Sequence, residues 1–151
     1  MSDKLVSESI EINAPAKVVF AILADPRQHS RIDGSGTVRG MVSGPDRLSS
    51  GAHFRTQMKM FGAPYRMKNW VVDYDEDRSI AWKHIGPARW GYALVTEGDT
   101  TIVTETFDYS RASGGPLLMM RSLRFPTRNR EGIRKTLARL KAAAESDAVS
   151  K

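Results

Sequence analysis

Three polar residues, Asn69, His84 and Glu105, fall on the same parity as apolar neighbours in strand-like stretches of this chain. Successive strand residues face opposite sides, so Phe54, Thr56, Met58 and Met60 share one face, predicted to turn inward, opposite His53, Arg55, Gln57 and Lys59. The same alternation turns inward Met67, Asn69 and Val71, then Ile80, Trp82 and His84, then Trp90, Tyr92 and Leu94, and finally Val103, Glu105 and Phe107. A carboxylate or imidazole removed from water needs a hydrogen-bonding or charged partner. If Glu105 and His84 meet, they form a general base and acid suited to a carbonyl substrate, with Tyr92 as a third acid–base group. Aldol-type cyclisation and dehydration are reactions that such groups serve. The alternative for the same residues is a satisfied internal network, or a Glu105 that faces solvent.

A second cluster, His29-Ser30-Arg31-Ile32-Asp33-Gly34-Ser35-Gly36, holds an imidazole, a carboxylate and a hydroxyl within eight residues. It is not a nucleophilic triad, because its members are neighbours on one turn and no strand-to-helix elbow surrounds Ser35. Nor does Gly34-Ser35-Gly36 form a dinucleotide loop or precede a phosphate-binding lysine. With no cysteine, the chain has no thiol nucleophile, thiolate metal site or disulfide. Three scattered histidines predict no metal centre, and no cofactor motif is present.

Positioning the inward residues requires a particular order of elements. Leu5 to Asn13 alternates as a half-buried strand, with Ile10 and Ile12 inward. Asn13 is expected to cap a helix begun by Ala14-Pro15, whose stripe is Val18, Val19, Ala21, Ile22 and Leu23. A second short helical turn runs from Asp25-Pro26 to Ile32. Strand and turn sequence then continues from Thr37 to Ser110 as Thr37–Val42, Ala52–Met60, Tyr65–Tyr74, Ser79–Ile85, Ala88–Thr96 and Thr101–Ser110. The facing of Trp70 and Tyr74 stays open, because a bulge near Val71-Val72 would exchange them. Leu117 to Phe125 reads as a short apolar helix, serving as a gate or a homodimer contact. In the closing helix, Ile133, Leu137, Leu140 and Ala144 recur on one face.

The net charge of +6 resides from Met120 onward, where nine cations stand against Glu131, Glu145 and Asp147. These cations are read as the solvated face of the closing helix. Arg55, Lys59, Arg66 and Lys68 make the outer sheet face basic, yet the aromatic residues lie mostly on the other face. Nucleic acid is therefore disfavoured as a partner. The absence of a leader pattern and of any apolar run of spanning length predicts a cytosolic protein without membrane insertion.

Val6 to Asp25, the turn Ile32 to Val38, Val72-Asp73-Tyr74 before Arg78-Ser79-Ile80-Ala81-Trp82, and Val103 to Tyr109 resemble the START/Bet v 1-like (SRPBCC) superfamily. More narrowly, the chain is similar to its bacterial polyketide cyclase/dehydrase and lipid-transport group. The resemblance implies one α+β helix-grip domain over residues 1–151, in which a curved antiparallel sheet wraps a long C-terminal helix, with two short helices near the N-terminus. It further implies an apolar cavity, with His29, Asp33 and Ser35 at its mouth. The expected lining continues with Phe54, Met58, Met67, Asn69, Trp82, His84, Trp90, Tyr92, Glu105, Phe107, Met120 and Leu137. Aromatic and methionine side chains there offer a deformable surface for a flat or hydrocarbon ligand; the alternative is that they fill a core. Binding or transport of a hydrophobic small molecule is the leading expectation. A cofactor-free cyclase or dehydratase is the alternative, and an interaction module using the basic surface is a third.

Overall fold

A computed structural model describes residues 5–34, 38–60, 62–84, 88–122 and 124–149. The alternating segments become seven strands: β1 (Leu5–Ile12), β2 (Val38–Ser43), β3 (His53–Met60), β4 (Ala63–Asp75), β5 (Ser79–Lys83), β6 (Arg89–Glu97) and β7 (Thr100–Asp108). They form one antiparallel sheet in the order β1-β7-β6-β5-β4-β3-β2. Between its first two strands the chain crosses from one sheet edge to the other, through α1 (Ala16–Leu23), a 3-10 turn (Pro26–Gln28) and α2 (His29–Ile32). Hairpins then return it to β7 beside β1, and α3 (Gly114–Ser122) and α4 (Phe125–Val149) follow. This is the helix-grip arrangement.

Parity is cleanest in β7, where Thr101, Val103, Glu105 and Phe107 are buried and the intervening residues are not. In β4 it breaks at the expected place. Val71 pairs with Trp82 and Asp73 with Ala81, leaving Val72 as a bulge. Met67, Asn69 and Val71 therefore face inward before the bulge, and Tyr74 does so after it, with its ring 5.5 Å from that of Phe20. Trp70 faces outward, between the ammonium groups of Lys68 and Lys83 at 5.2 and 5.9 Å.

Helix α4 buries Ile133, Leu137, Leu140 and Ala144, the expected stripe, and packs mainly on β1, with smaller contacts to α1, α2 and β7. Its cations are only partly the solvated face the sequence suggested. Arg130 and Arg134 both bind Glu8 on β1, Lys141 donates to the Glu11 carbonyl, and Arg139 donates to the Asp33 carbonyl at 2.8 Å. Half-exposed pairs of this kind are individually weak, but together they fix which face of the helix meets the sheet.

Several boundaries also differ from expectation, among them α3, which starts at Gly114 instead of Leu117 and leaves Phe125 to α4. Asn13 is no side-chain cap: α1 starts after Pro15, and the Asn13 backbone N–H donates to Glu145 of α4 at 2.8 Å. Helix α4 includes Pro126 instead of following it, since proline in a first turn forfeits no intrahelical hydrogen bond. No helix among the described residues is long and apolar enough to cross a membrane.

Candidate functional site

Because α4 packs toward β1, it stands off the concave face of β3 to β6 and leaves a space there. The space is a cavity of about 720 Å³, closed by α2, by Met120 of α3 and by the N-terminal half of α4. A strand wall of Phe54, Trp82, Trp90, Tyr92 and Phe107 makes it largely aromatic. Those rings brace one another, with Trp82 and Tyr92 centroids 5.6 Å apart and Trp90 and Phe107 4.7 Å apart.

Glu105 lies within this apolar wall at 3% exposure. The β6–β7 register sets Tyr92 directly opposite, and the phenol donates to Glu105 Oε2 at 3.0 Å. Oε1 is buried and has no hydrogen-bond partner among the described residues. Loss of solvent pushes the carboxyl up to about 8, and the charge of Asp33 adds to the rise; the Tyr92 hydrogen bond opposes it. At neutral pH Glu105 is thus a carboxylic acid, able to donate a proton or a hydrogen bond.

His84 and Glu105 line the same cavity, but each has its own partner, so the direct pair considered from the sequence does not form. His84 Nδ1 lies 2.6 Å from Asn69 Oδ1. The Asn69 amide nitrogen donates to the carbonyls of Phe54 and Met67 and toward Thr56 Oγ1, so its oxygen is left to accept from His84. His84 therefore carries its proton on Nδ1. Burial lowers its pKa to about 4, so at pH 7 it is neutral and keeps Nε2 as an acceptor.

Where the resemblance implied a mouth residue, His29 is a buried wall residue. Its ring stacks on Trp82 at 4.7 Å and meets Phe54 edge-on, and its Nε2–H donates to the Leu23 carbonyl at 2.9 Å. Burial lowers its pKa and keeps it neutral. Asp33 lines the cavity and accepts from the Val38 N–H at 3.0 Å, while Ser35 lies outside the described residues. Next to Asp33, Gly34 presses on α4: its N–H donates to Thr136 Oγ1 at 2.8 Å, and a Cβ there would fall 2.4 Å from the Thr136 nitrogen.

Met58, Met67 and Met120 also line the cavity, whereas Leu137 is buried core and takes no part in the lining. Neighbouring Leu118 and Met119 on α3 are exposed. The sequence-based set lacked Arg39 and Tyr65, and on α4 lacked Asn129, Gly132 and Thr136; Lys59, which parity put on the outer face, also reaches the cavity rim. Tyr65 shares the parity of Met67. The α4 residues lie on and beside the N-terminal part of its apolar stripe, and the change there from apolar to small and polar side chains is the signal that a cavity replaces the core.

A family model described as "Polyketide cyclase / dehydrase and lipid transport" matches residues 4–145. Uncharacterized protein Rv0088 of Mycobacterium tuberculosis is 43% identical over 138 residues, covering 89% of this chain and 62% of its own length, so this chain spans less than two thirds of that relative. Among solved structures, protein NE0264 of Nitrosomonas europaea is similar with a TM-score of 0.73 at 14% identity, covering 99% of each chain. The ZhuI aromatase/cyclase of Streptomyces sp. R1128 is similar with a TM-score of 0.70 at 18% identity, covering 93% of each chain. At such identities these two likenesses concern the fold alone.

Proposed function

The chain belongs to the polyketide cyclase / dehydrase and lipid transport family, and from that premise we propose that it binds and carries a hydrophobic small molecule between the sheet and α4. The observation that carries this reading is the cavity of about 720 Å³ with an aromatic wall. Small-molecule sites typically measure about 300–1,000 Å³ and are lined by apolar groups with a few placed polar ones. Glu105, Tyr92, His84 and Asn69 are the polar groups that would orient the ligand. Native mass spectrometry of gently purified protein tests the reading: an adduct of small-molecule mass, displaced by N-phenyl-1-naphthylamine, is expected. Absence of any adduct, together with failure to bind that neutral probe, would remove its basis.

One observation favours a second reading, a cofactor-free cyclase or dehydratase. Glu105 is a protonated acid of the cavity wall with one buried oxygen unpartnered among the described residues, the state in which a carboxyl can protonate a carbonyl oxygen as the carbonyl carbon is attacked. Neutral His84 is then the available proton acceptor. The aromatase/cyclase neighbour shares this fold, which makes the chemistry worth testing with poly-carbonyl substrates. Turnover abolished by Glu105→Gln with binding retained supports the enzyme; binding without turnover in the wild type leaves a carrier.

A further inference from the structure

The cavity is polarised along its length. Its exposed lining residues are Arg39, Lys59, Gly62, Arg128, Glu131 and Lys135, which gather where β2, the β3–β4 turn and the N-terminal half of α4 meet. That mouth carries four cations and one carboxylate. Arg39, Lys59 and Lys135 make no ion pair among the described residues, in contrast with Arg130 and Arg134, which bind Glu8, and Lys141, which binds Glu145. At depth that positive charge is missing: no lysine or arginine acts on the Glu105 carboxyl, and both lining histidines are neutral.

The unpartnered oxygen of Glu105 fixes the chemistry of the deep end. Tyr92 already donates to Oε2, so the proton of the neutral acid belongs on Oε1, the buried oxygen without a partner among the described residues. A buried donor left unmet is costly, and a ligand that supplies an acceptor there recovers that cost. An anionic group buried here would find no lysine or arginine beside Glu105 and is disfavoured at this end.

Resting on the ligand-carrier reading, we propose that the cavity takes an anionic amphiphile. Its apolar body carries a neutral carbonyl that accepts from Glu105 Oε1, and its anionic head group stays at the Arg39–Lys59–Lys135 mouth. The orientation is head outward, because the mouth supplies cations for the anionic group and the surroundings of Glu105 supply none.

The test compares octadecanoate, a series of oxo-octadecanoates differing in the carbon that bears the ketone, and their methyl esters, by displacement of N-phenyl-1-naphthylamine. One or two adjacent ketone positions bind about tenfold tighter than octadecanoate, the gain of one well-placed buried hydrogen bond, and their esters bind several-fold more weakly than the acids. Glu105→Gln keeps the ketone preference, since its amide nitrogen can donate at the Oε1 position while its oxygen accepts from Tyr92; Glu105→Leu loses it. Arg39→Gln/Lys59→Gln/Lys135→Gln loses the preference for acid over ester and keeps the preference for ketone. Octadecanoate and all oxo isomers binding alike to the wild type overturns the proposal while the carrier reading stands. If neither the fatty acids nor the naphthylamine bind, the carrier reading falls with it.

Discussion

Replacing Glu105 by glutamine isolates the cost of the buried carboxyl, and its size follows from the site. Glu105 ionises near 8 in the folded protein because of burial and the Asp33 charge, against about 4.5 for an exposed glutamate. Between those values the unfolded chain is ionised at this residue and the folded chain is protonated. Stability contributed by Glu105 is therefore fully present below about pH 4.5 and declines by about 1.4 kcal/mol per pH unit as the pH rises toward 8. His29 and His84 have the opposite sign. Both are held neutral by burial, so they remove stability as the pH falls below about 6.5, where unfolded histidine protonates. The interval from about pH 6.5 to 8 thus isolates Glu105, and the 1.5 units it spans correspond to about 2 kcal/mol. Urea unfolding followed by tryptophan fluorescence at half-unit steps measures it. The wild type loses about 2 kcal/mol relative to Glu105→Gln across this interval, and groups that titrate in both proteins cancel in the difference. Parallel stability curves would refute the assignment of Glu105 as a buried neutral acid.

Other perturbations address the surroundings of the cavity. Gly34→Ala places a methyl 2.4 Å from backbone and side-chain atoms of α4, and lowers stability by about 1–3 kcal/mol through forced separation of the turn from the helix, read from the urea midpoint; an unchanged midpoint would contradict the close approach. A double-mutant cycle of Asn69→Ala and His84→Ala should show coupling of about 1 kcal/mol or more, since either change strands a buried partner; strict additivity would mean the hydrogen bond is not made. Glu8→Gln removes the carboxylate that holds Arg130 and Arg134 on β1 and lowers the melting temperature, by less in high salt than in low salt. A deficit independent of salt would point to packing as the cause.

The faces of the strands were legible because a two-residue period survives ignorance of the neighbours, and Phe54, Met67, Trp82 and Phe107 all lie where parity puts them. The partners of the polar residues were harder to see. In the β6–β7 hairpin, equal steps back from the Glu97–Thr100 pair reach Tyr92 and Glu105, so that pair was within reach of the sequence. Asn69 and His84 were not. Equal steps back from the Asp75–Ser79 pair bring them together only after the one-residue shift at Val72, the same shift that turns Tyr74 inward and leaves Trp70 outside. The adjacent apolar pair Val71-Val72 marks where such a bulge can fall, but whether it forms depends on how the whole sheet curves. Nor does periodicity reveal that α4 packs toward β1, where Arg130 meets Glu8 and Lys141 meets the Glu11 carbonyl, partners more than a hundred residues away in the chain.

The central claim is that the space between β3–β6 and α4 receives a ligand. Its most direct test is to follow backbone amide and tryptophan indole NMR signals during titration with N-phenyl-1-naphthylamine. The largest shifts are expected at Trp82 and Trp90, at neighbouring amides of Phe54, Tyr92 and Glu105, and at Ile133 and Thr136 across the cavity. The Trp70 indole, on the outer face between Lys68 and Lys83, should stay unmoved. Shifts centred on Trp70 with Trp82 and Trp90 unchanged would contradict the claim.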